Sequence, residues 1–207
     1  MVKIIEQGFV ILSDIDNDKI LRDIELAART CYKSEDKISE DSHIKLVSKL
    51  IELNHSAMLE HAILRVKFIT NRGVTHELVR HRMASYAQES TRYCNYSKNK
   101  FGNEISVINP VWADEKPKLK RIWLKAMENA EKSYMEMIEN GALAQEAREL
   151  LPIDTKTEIV VTANIREWRH IFSLRCSKKA HPQIRKVMVD LREELKKKIP
   201  ILFDNLE

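Results

Sequence analysis

The sequence predicts an α+β fold: an antiparallel sheet packed with helices and carrying a helical insertion. Three observations predict it. Apolar residues recur at helical spacing in several separate stretches, and two other stretches alternate in polarity or run in β-branched residues. The order of these segments lacks the regular strand-helix-strand alternation of a parallel sheet. At 207 residues the chain suits a single domain, residues 1–207, able to bury a sizeable core.

Residues 2–12, VKIIEQGFVIL, read as an opening strand or hairpin broken at Gly8. Asp16 to Lys19 form a turn, and Ile20, Leu21, Ile24, Ala27 and Ala28 carry a helix to about Tyr32. Ile44, Leu46, Val47, Leu50, Ile51 and Leu53 mark a second helix, with Ser39 or Ser42 as its cap. In residues 62–70 Leu64, Val66 and Phe68 alternate with Arg65 and Lys67, the pattern of a strand with one wet face. It leads into a helix capped by Thr75 and running to about Ala84, with Leu78, Val79 and Met83 turned inward, followed by a polar loop.

Residues 105–108 read as a short strand ended by Pro110, and 117–140 as an amphipathic helix stopped at Gly141. A further helix covers about 144–151 before Pro152. The β-branched run 157–163 is expected as a buried strand, with helices over 165–174 and 182–198.

Composition excludes several functions. Lys and Arg number 35 against 31 Asp and Glu, a net charge of +4 that suits phosphorylated small molecules as well as nucleic acid. The first residues have no apolar signal region, and no run approaches the ~20 apolar residues of a membrane span, so a cytoplasmic protein without membrane contact is expected. Cys31, Cys94 and Cys176 are odd in number and far apart, which supports neither a disulfide framework nor a zinc-cysteine site. The four glycines are isolated and can build no phosphate-binding glycine loop. Any nucleotide must be held by side chains.

The chemistry concentrates in residues 76–96, HELVRHRMASYAQESTRYCNY. An Arg-His-Arg tripeptide alone is usually a solvated helix face. Here Ser85, Gln88, Ser90, Thr91 and Arg92 follow it, and the arginine fork suits bidentate capture of phosphate. On a helix Arg80 and Arg82 would point to roughly opposite sides, at about 100° per residue. Either they reach different ligands or the helix lies between two sites at a subunit interface. No metal site is expected: His55 and His61 are six apart, and in HELVRH the second histidine is one residue late for a zinc helix, rotated away by about 140°. The run 164–175, NIREWRHIFSLR, places its arginines and a histidine on one helix after a buried strand, too many for mere core.

These residues resemble the flavin-dependent thymidylate synthases, whose signature is Arg-His-Arg followed at fixed spacing by Ser and Ser-x-Arg-Tyr. Here it reads Arg80, His81, Arg82, Ser85, Ser90, Arg92 and Tyr93. A second motif matches at Asn164, Arg166, Arg169, His170 and Arg175, and the resemblance spans about residues 55–185. It implies a methyltransferase that converts dUMP to dTMP, taking carbon from 5,10-methylenetetrahydrofolate and reducing equivalents from NADPH through bound FAD. By that resemblance His55, Arg80, His81, Arg82, Gln88, Asn164, Arg166 and His170 hold FAD. Glu77, Arg80, Gln88, Glu89, Ser90, Thr91, Arg92, Arg148 and Arg175 hold dUMP, with Arg175 as the catalytic group that stabilises negative charge at the N3 side of the pyrimidine. It further implies a homotetramer with active sites shared between subunits. Because the flavin carries the redox chemistry, no covalent enzyme nucleophile is required. The competing reading is a basic RNA-binding module without catalytic activity, whose Arg and Tyr residues stack bases. Only Tyr86, Tyr93 and Tyr96 cluster for that role.

Overall fold

The computed structural model describes residues 2–206. Strands β1 (Lys3–Ile5) and β2 (Gly8–Ile11) are followed by helices α1 (Asn17–Tyr32) and α2 (Ser42–Glu52), then strand β3 (Ile63–Asn71), helix α3 (Arg72–Leu78), strand β4 (Ala84–Gln88) and strand β5 (Ser106–Ile108). The chain continues through α4 (Pro117–Glu139), α5 (Ala144–Ala147), β6 (Lys156–Asn164), α6 (Ile165–Arg175), α7 (Pro182–Lys198) and α8 (Pro200–Phe203). The fold is α+β, with a four-stranded antiparallel sheet in the order β2-β3-β6-β4.

The opening hairpin is not formed. β1 pairs in parallel with β5, Lys3 opposite Ser106 and Ile5 opposite Ile108, while β2 joins the larger sheet. The reason is burial: Val107 and Ile108 are wholly buried, and pairing with them gives the short β1 an apolar neighbour.

The helix expected over 76–84 is also displaced. Asn71 caps α3, its Oδ1 accepting from the Val74 amide, so the helix starts early and buries Val74, Thr75 and Leu78. It ends at Leu78, where the Val79 and Arg80 amides turn back to Thr75 and Glu77. Val79 and Met83 are therefore exposed rather than inward-facing. The segment expected as polar loop opens with β4 at a sheet edge, and the Tyr86 hydroxyl donates to the Leu78 carbonyl, closing the turn between α3 and β4. Arg80 and Arg82 thus lie in a turn, and the opposed-face geometry of a helix does not apply to them.

Residue contacts divide the chain into two compact units whose segments alternate in sequence. The first comprises 1–8, 68–80 and 86–160; its core gathers Tyr96, Ile105, Val107, Met127, Tyr134 and Ala147. α4 contributes Met127 and Tyr134, while its Leu119 and Ile122 remain exposed. The expected helix over 144–151 is shorter, passing into a tighter 3-10 turn at Arg148–Leu150. In this unit the Asp154 carboxylate receives the Asn71 amide at 2.8 Å and the Trp123 indole N–H at 2.8 Å.

The second unit comprises 9–67, 81–85 and 161–207. Its core is built from Leu21 and Ile24 of α1, Val47 of α2, and the buried faces of α6, α7 and α8, with Trp168, Phe172 and Phe203 packed ring to ring. The Trp168 indole N–H donates to the Leu64 carbonyl, satisfying the one polar atom of that ring. β6, expected as a buried strand, alternates: Thr157, Ile159, Val161 and Ala163 are buried and their neighbours half-buried.

Candidate active site

In the second unit the two sequence motifs meet. His81 follows the α3 turn and is only 4% exposed, and its Nε2 accepts a hydrogen bond from Arg175 Nε at 3.0 Å. Arg175 is the last residue of α6. With Nε2 as acceptor the ring carries its proton on Nδ1, which faces Glu167 Oε1 at 3.6 Å. His170 meets the His81 ring edge-on at 5.8 Å between centroids. Burial first, then the positive charge of Arg175 and the neighbouring His170, push the His81 pKa from 6.5 to about 4, so the ring is neutral at neutral pH. Glu167 is 8% exposed. Its amide is capped by Asn164 Oδ1 at 2.9 Å, which fixes where α6 begins.

His81, Glu167 and His170 have their ligating atoms within 4.8 Å of one another and form a set of the kind that could hold a metal ion. The Arg175 guanidinium already brings positive charge to His81 Nε2, and a metal on Nδ1 would demand the opposite tautomer and break that hydrogen bond. The donor set favours a hydrogen-bonded network.

Two cavities lie in this unit, and the second adjoins the cluster. One of about 440 Å³ is lined by His55, Ala57, Met58, Cys31, Tyr32 and Arg166. Another of about 370 Å³ is lined by Asn164, Arg166, Glu167, His170, Glu60 and Met83. Arg166 borders both and pairs with Glu60. Both volumes fall in the range of cofactor sites, about 300–1,000 Å³. Arg82 is exposed.

The expected dUMP residues other than Arg175 fall in the first unit. Gln88 Nε2 donates to Thr75 Oγ1 at 3.0 Å and Thr157 Oγ1 at 3.3 Å, both buried hydroxyls, so its amide group is held by the protein itself. Ser90 begins a tight turn: its carbonyl accepts from the Tyr93 and Cys94 amides and its Oγ from the Arg92 amide at 3.4 Å. Thr91 is buried in that turn, and the exposed Arg92 guanidinium lies over the Tyr93 ring at 5.5 Å. Glu77 is half-buried in α3, and Arg80 and Arg148 are exposed. The Glu89 carboxylate accepts from the Tyr96 hydroxyl and from Lys156.

The expected flavin residues His55, His81, Arg82, Asn164, Arg166 and His170 therefore fall in one unit. Of that set, Arg80 and Gln88 fall in the other, with the expected dUMP residues apart from Arg175. Sequence reasoning missed Glu167, Lys156 and Tyr96 as neighbours of these groups. Glu167 had a usable signal: it precedes His170 by three residues, one turn along the same helix face.

The sequence profile of the thymidylate synthase complementing protein family, Thy1, matches residues 15–201. The flavin-dependent thymidylate synthase of Geobacter sulfurreducens is 33% identical over 187 residues, covering 87% of this chain and 79% of that protein. That of Pyrococcus abyssi is 35% identical over 167 residues, covering 80% and 68%. A crystal structure of a UMP/dUMP methylase, PolB from Streptomyces cacaoi, bound with 5-Br dUMP superposes with a TM-score of 0.81 at 21% identity, covering 98% of this chain and 96% of that one. The profile match over residues 15–201, together with relatives 33–35% identical over most of the chain, establishes that this chain belongs to the Thy1 family of flavin-dependent thymidylate synthases.

Proposed function

We propose that the chain is a flavin-dependent methyltransferase that makes dTMP from dUMP, with 5,10-methylenetetrahydrofolate as the carbon donor and NADPH as the source of electrons. The observation that carries this reading is the His81 to Arg175 hydrogen bond, which joins both family motifs around a buried, neutral imidazole. In balance, the folate gives a methylene carbon to C5 of the uracil, C5 loses a proton, and one hydride, taken up at C6 and passed on to that carbon, converts the methylene to methyl. FAD, when bound, supplies that two-electron chemistry.

The residues present fit such a cofactor. The 440 Å³ cavity offers apolar walls from Ala57 and Met58 with His55 and Arg166 as polar handles, and Asn164, Arg166 and His170 line the second cavity. Arg82 and Arg166 supply positive charge for the pyrophosphate. In dUMP binding Arg92 and Arg148 take the phosphate, Ser90 and Thr91 donate to it, and Glu77, Arg80, Gln88 and Glu89 complete the surroundings. Arg175, its orientation set by His81, stabilises negative charge on the pyrimidine at its N3 side and so readies C6 for hydride. Ser90 Oγ accepts from the Arg92 amide, and among the described residues no imidazole or carboxylate is hydrogen-bonded to it, which supports a route without a covalent enzyme nucleophile. Sites shared between subunits of a homotetramer are supported by the exposure of Arg80, Arg82 and Arg92 beside the exposed apolar side chains of Met83 and Tyr93. A cytoplasmic location fits these metabolites, and no helix among the described residues is long and apolar enough to cross a membrane.

The test is purification under native conditions followed by assay. A yellow protein that releases FAD on denaturation, and forms dTMP only when dUMP, methylenetetrahydrofolate and NADPH are all present, supports the proposal. Colourless protein that retains RNA but turns over no dUMP overturns it in favour of the RNA-binding reading.

A further inference from the structure

One cluster in the first unit ties Glu89, of the expected dUMP set, to Tyr96 and Lys156, which have no role assigned above. The Tyr96 hydroxyl donates to Glu89 Oε1 at 3.0 Å, and Lys156 Nζ donates to Glu89 Oε2 at 3.1 Å and to Glu158 Oε1 at 2.8 Å. Glu89 and Lys156 expose only 13% and 21% of their side chains, and Tyr96 is 4% exposed. Tyr96 is fixed in turn by Phe101, edge-on at 5.4 Å, and by the Tyr134 hydroxyl, which accepts its amide at 3.3 Å. The Glu89 amide donates to the Glu158 carbonyl, so backbone and carboxylate are both tied to β6 or its side chains.

The placement of these bonds along the chain gives them meaning. Glu89 is the residue before Ser90, and Tyr96 closes the same loop seven residues later. The Tyr96 to Glu89 bond therefore spans the neck of the segment that holds Ser90, Thr91 and Arg92, while Lys156 anchors the neck to β6. A loop held open and ordered before its ligand arrives avoids the ordering cost on binding. There is also an electrostatic reason. A carboxylate adjoining a phosphate-binding turn would repel the phosphate or capture Arg92, and Lys156 with Tyr96 both turns it away and neutralises it. Burial and the adjoining Glu89 carboxylate raise the Tyr96 pKa strongly, so the phenol remains a donor throughout the working pH range.

We propose that Lys156, acting through Glu89 and Tyr96, is a positioning residue for the Ser90–Arg92 loop and thereby for recognition of the substrate's phosphate. This rests on the reading above that the loop receives dUMP.

The test compares the full-length protein with Lys156→Met, Lys156→Arg and Tyr96→Phe in two measurements. Titration with dUMP and with deoxyuridine reads phosphate recognition, and amide exchange at Tyr93 and Cys94, whose N–H groups bond to Ser90, reads loop order without substrate. Lys156→Met and Tyr96→Phe should weaken dUMP about tenfold, equivalent to about 1.4 kcal/mol, and deoxyuridine about twofold or less. Exchange at both amides should accelerate by a similar factor, and Lys156→Arg should restore most of both effects. A general loss of folding would weaken both ligands equally and would not be rescued selectively. Unchanged dUMP affinity in both disrupting variants, equal losses for the two ligands, or unaltered exchange overturns the assignment. If Lys156→Met does not fold, Tyr96→Phe decides it on the same criteria. Wild-type protein that binds no dUMP while exchange still responds in Lys156→Met would refute the dUMP reading, and with it the positioning role, and would leave only a loop restraint.

Discussion

Arg175 Nε donates to His81 Nε2 across 94 residues of sequence, and this bond fixes the tautomer of a buried ring. The pKa of His81 is lowered from 6.5 to about 4 in the folded chain. Between those values the unfolded chain binds a proton that the folded chain refuses, so stability falls as pH drops through this window. The loss should reach up to about 3 kcal/mol near pH 4, from about 1.4 kcal/mol per pH unit. Urea midpoints measured from pH 7 to pH 4 should show this slope, and His81→Gln should flatten it. A parallel slope in the variant would mean that His81 is not its source.

Glycine poverty places the burden of holding FAD on side chains. Arg82→Ala should yield colourless or weakly flavinylated protein, read from the flavin absorbance per chain. Full occupancy in that variant would remove Arg82 from the flavin set.

Arg92 and Arg148 are exposed, and a solvated arginine lost to alanine ordinarily changes little. A phosphate contact differs, since a charge-assisted hydrogen bond is worth about 1.5–3 kcal/mol, roughly ten- to a hundredfold in affinity. Arg92→Ala and Arg148→Ala should therefore weaken dUMP on that scale while leaving deoxyuridine nearly unaffected. Calorimetric titration of both ligands checks it, and equal losses would show that neither arginine reads the phosphate.

Ser90→Ala distinguishes an oriented donor from a nucleophile. Losing one donor costs about 10²–10³ in rate, whereas losing a nucleophile costs on the order of 10⁶. The variant should bind dUMP less well and still form measurable dTMP in a flavin-dependent way. Normal dUMP binding and flavin reduction with no dTMP would restore the nucleophile.

Arg169 of the second motif holds the C-terminal segment in place, because its Nη1 donates to the Leu202 carbonyl and to Asn205 Oδ1 and so ties the last helix to α6. Arg169→Ala should lower stability by about 1–3 kcal/mol and open residues 200–205 to limited proteolysis. An unchanged cleavage pattern would contradict that role.

What was legible in the sequence was local. α1, α2, α4, α6, α7, β3 and β6 carry their periodicity within a few turns, and they form close to where it places them. β4 and the early end of α3 were not legible, because Asn71 outcompetes Thr75 as cap and because the sheet edge that accepts β4 is provided by β6, some seventy residues on. The pairing of Lys3 with Ser106 likewise leaves no local mark. Within the site, the motifs named His81 and Arg175, but the bond between them and the buried Glu167 beside them depend on α6 returning to the turn after α3. Lys156 reads as an ordinary strand charge until Glu89 is seen opposite it.

The hydrogen bond from Trp168 to the Leu64 carbonyl spans 104 residues, and in the same unit α2 packs against α8 near the other end of the chain. During synthesis at about 5–20 residues per second, residues 9–67 must wait on the order of 5–20 s before α6 leaves the ribosome. For that interval Leu64 lacks the indole that later bonds to it, and α2 lacks the α8 residues that later pack against it. Chaperone dependence during expression should therefore be set by the nascent N-terminal third, and codon choices that slow translation between β3 and α6 should lower the soluble yield without changing a single residue of the mature protein.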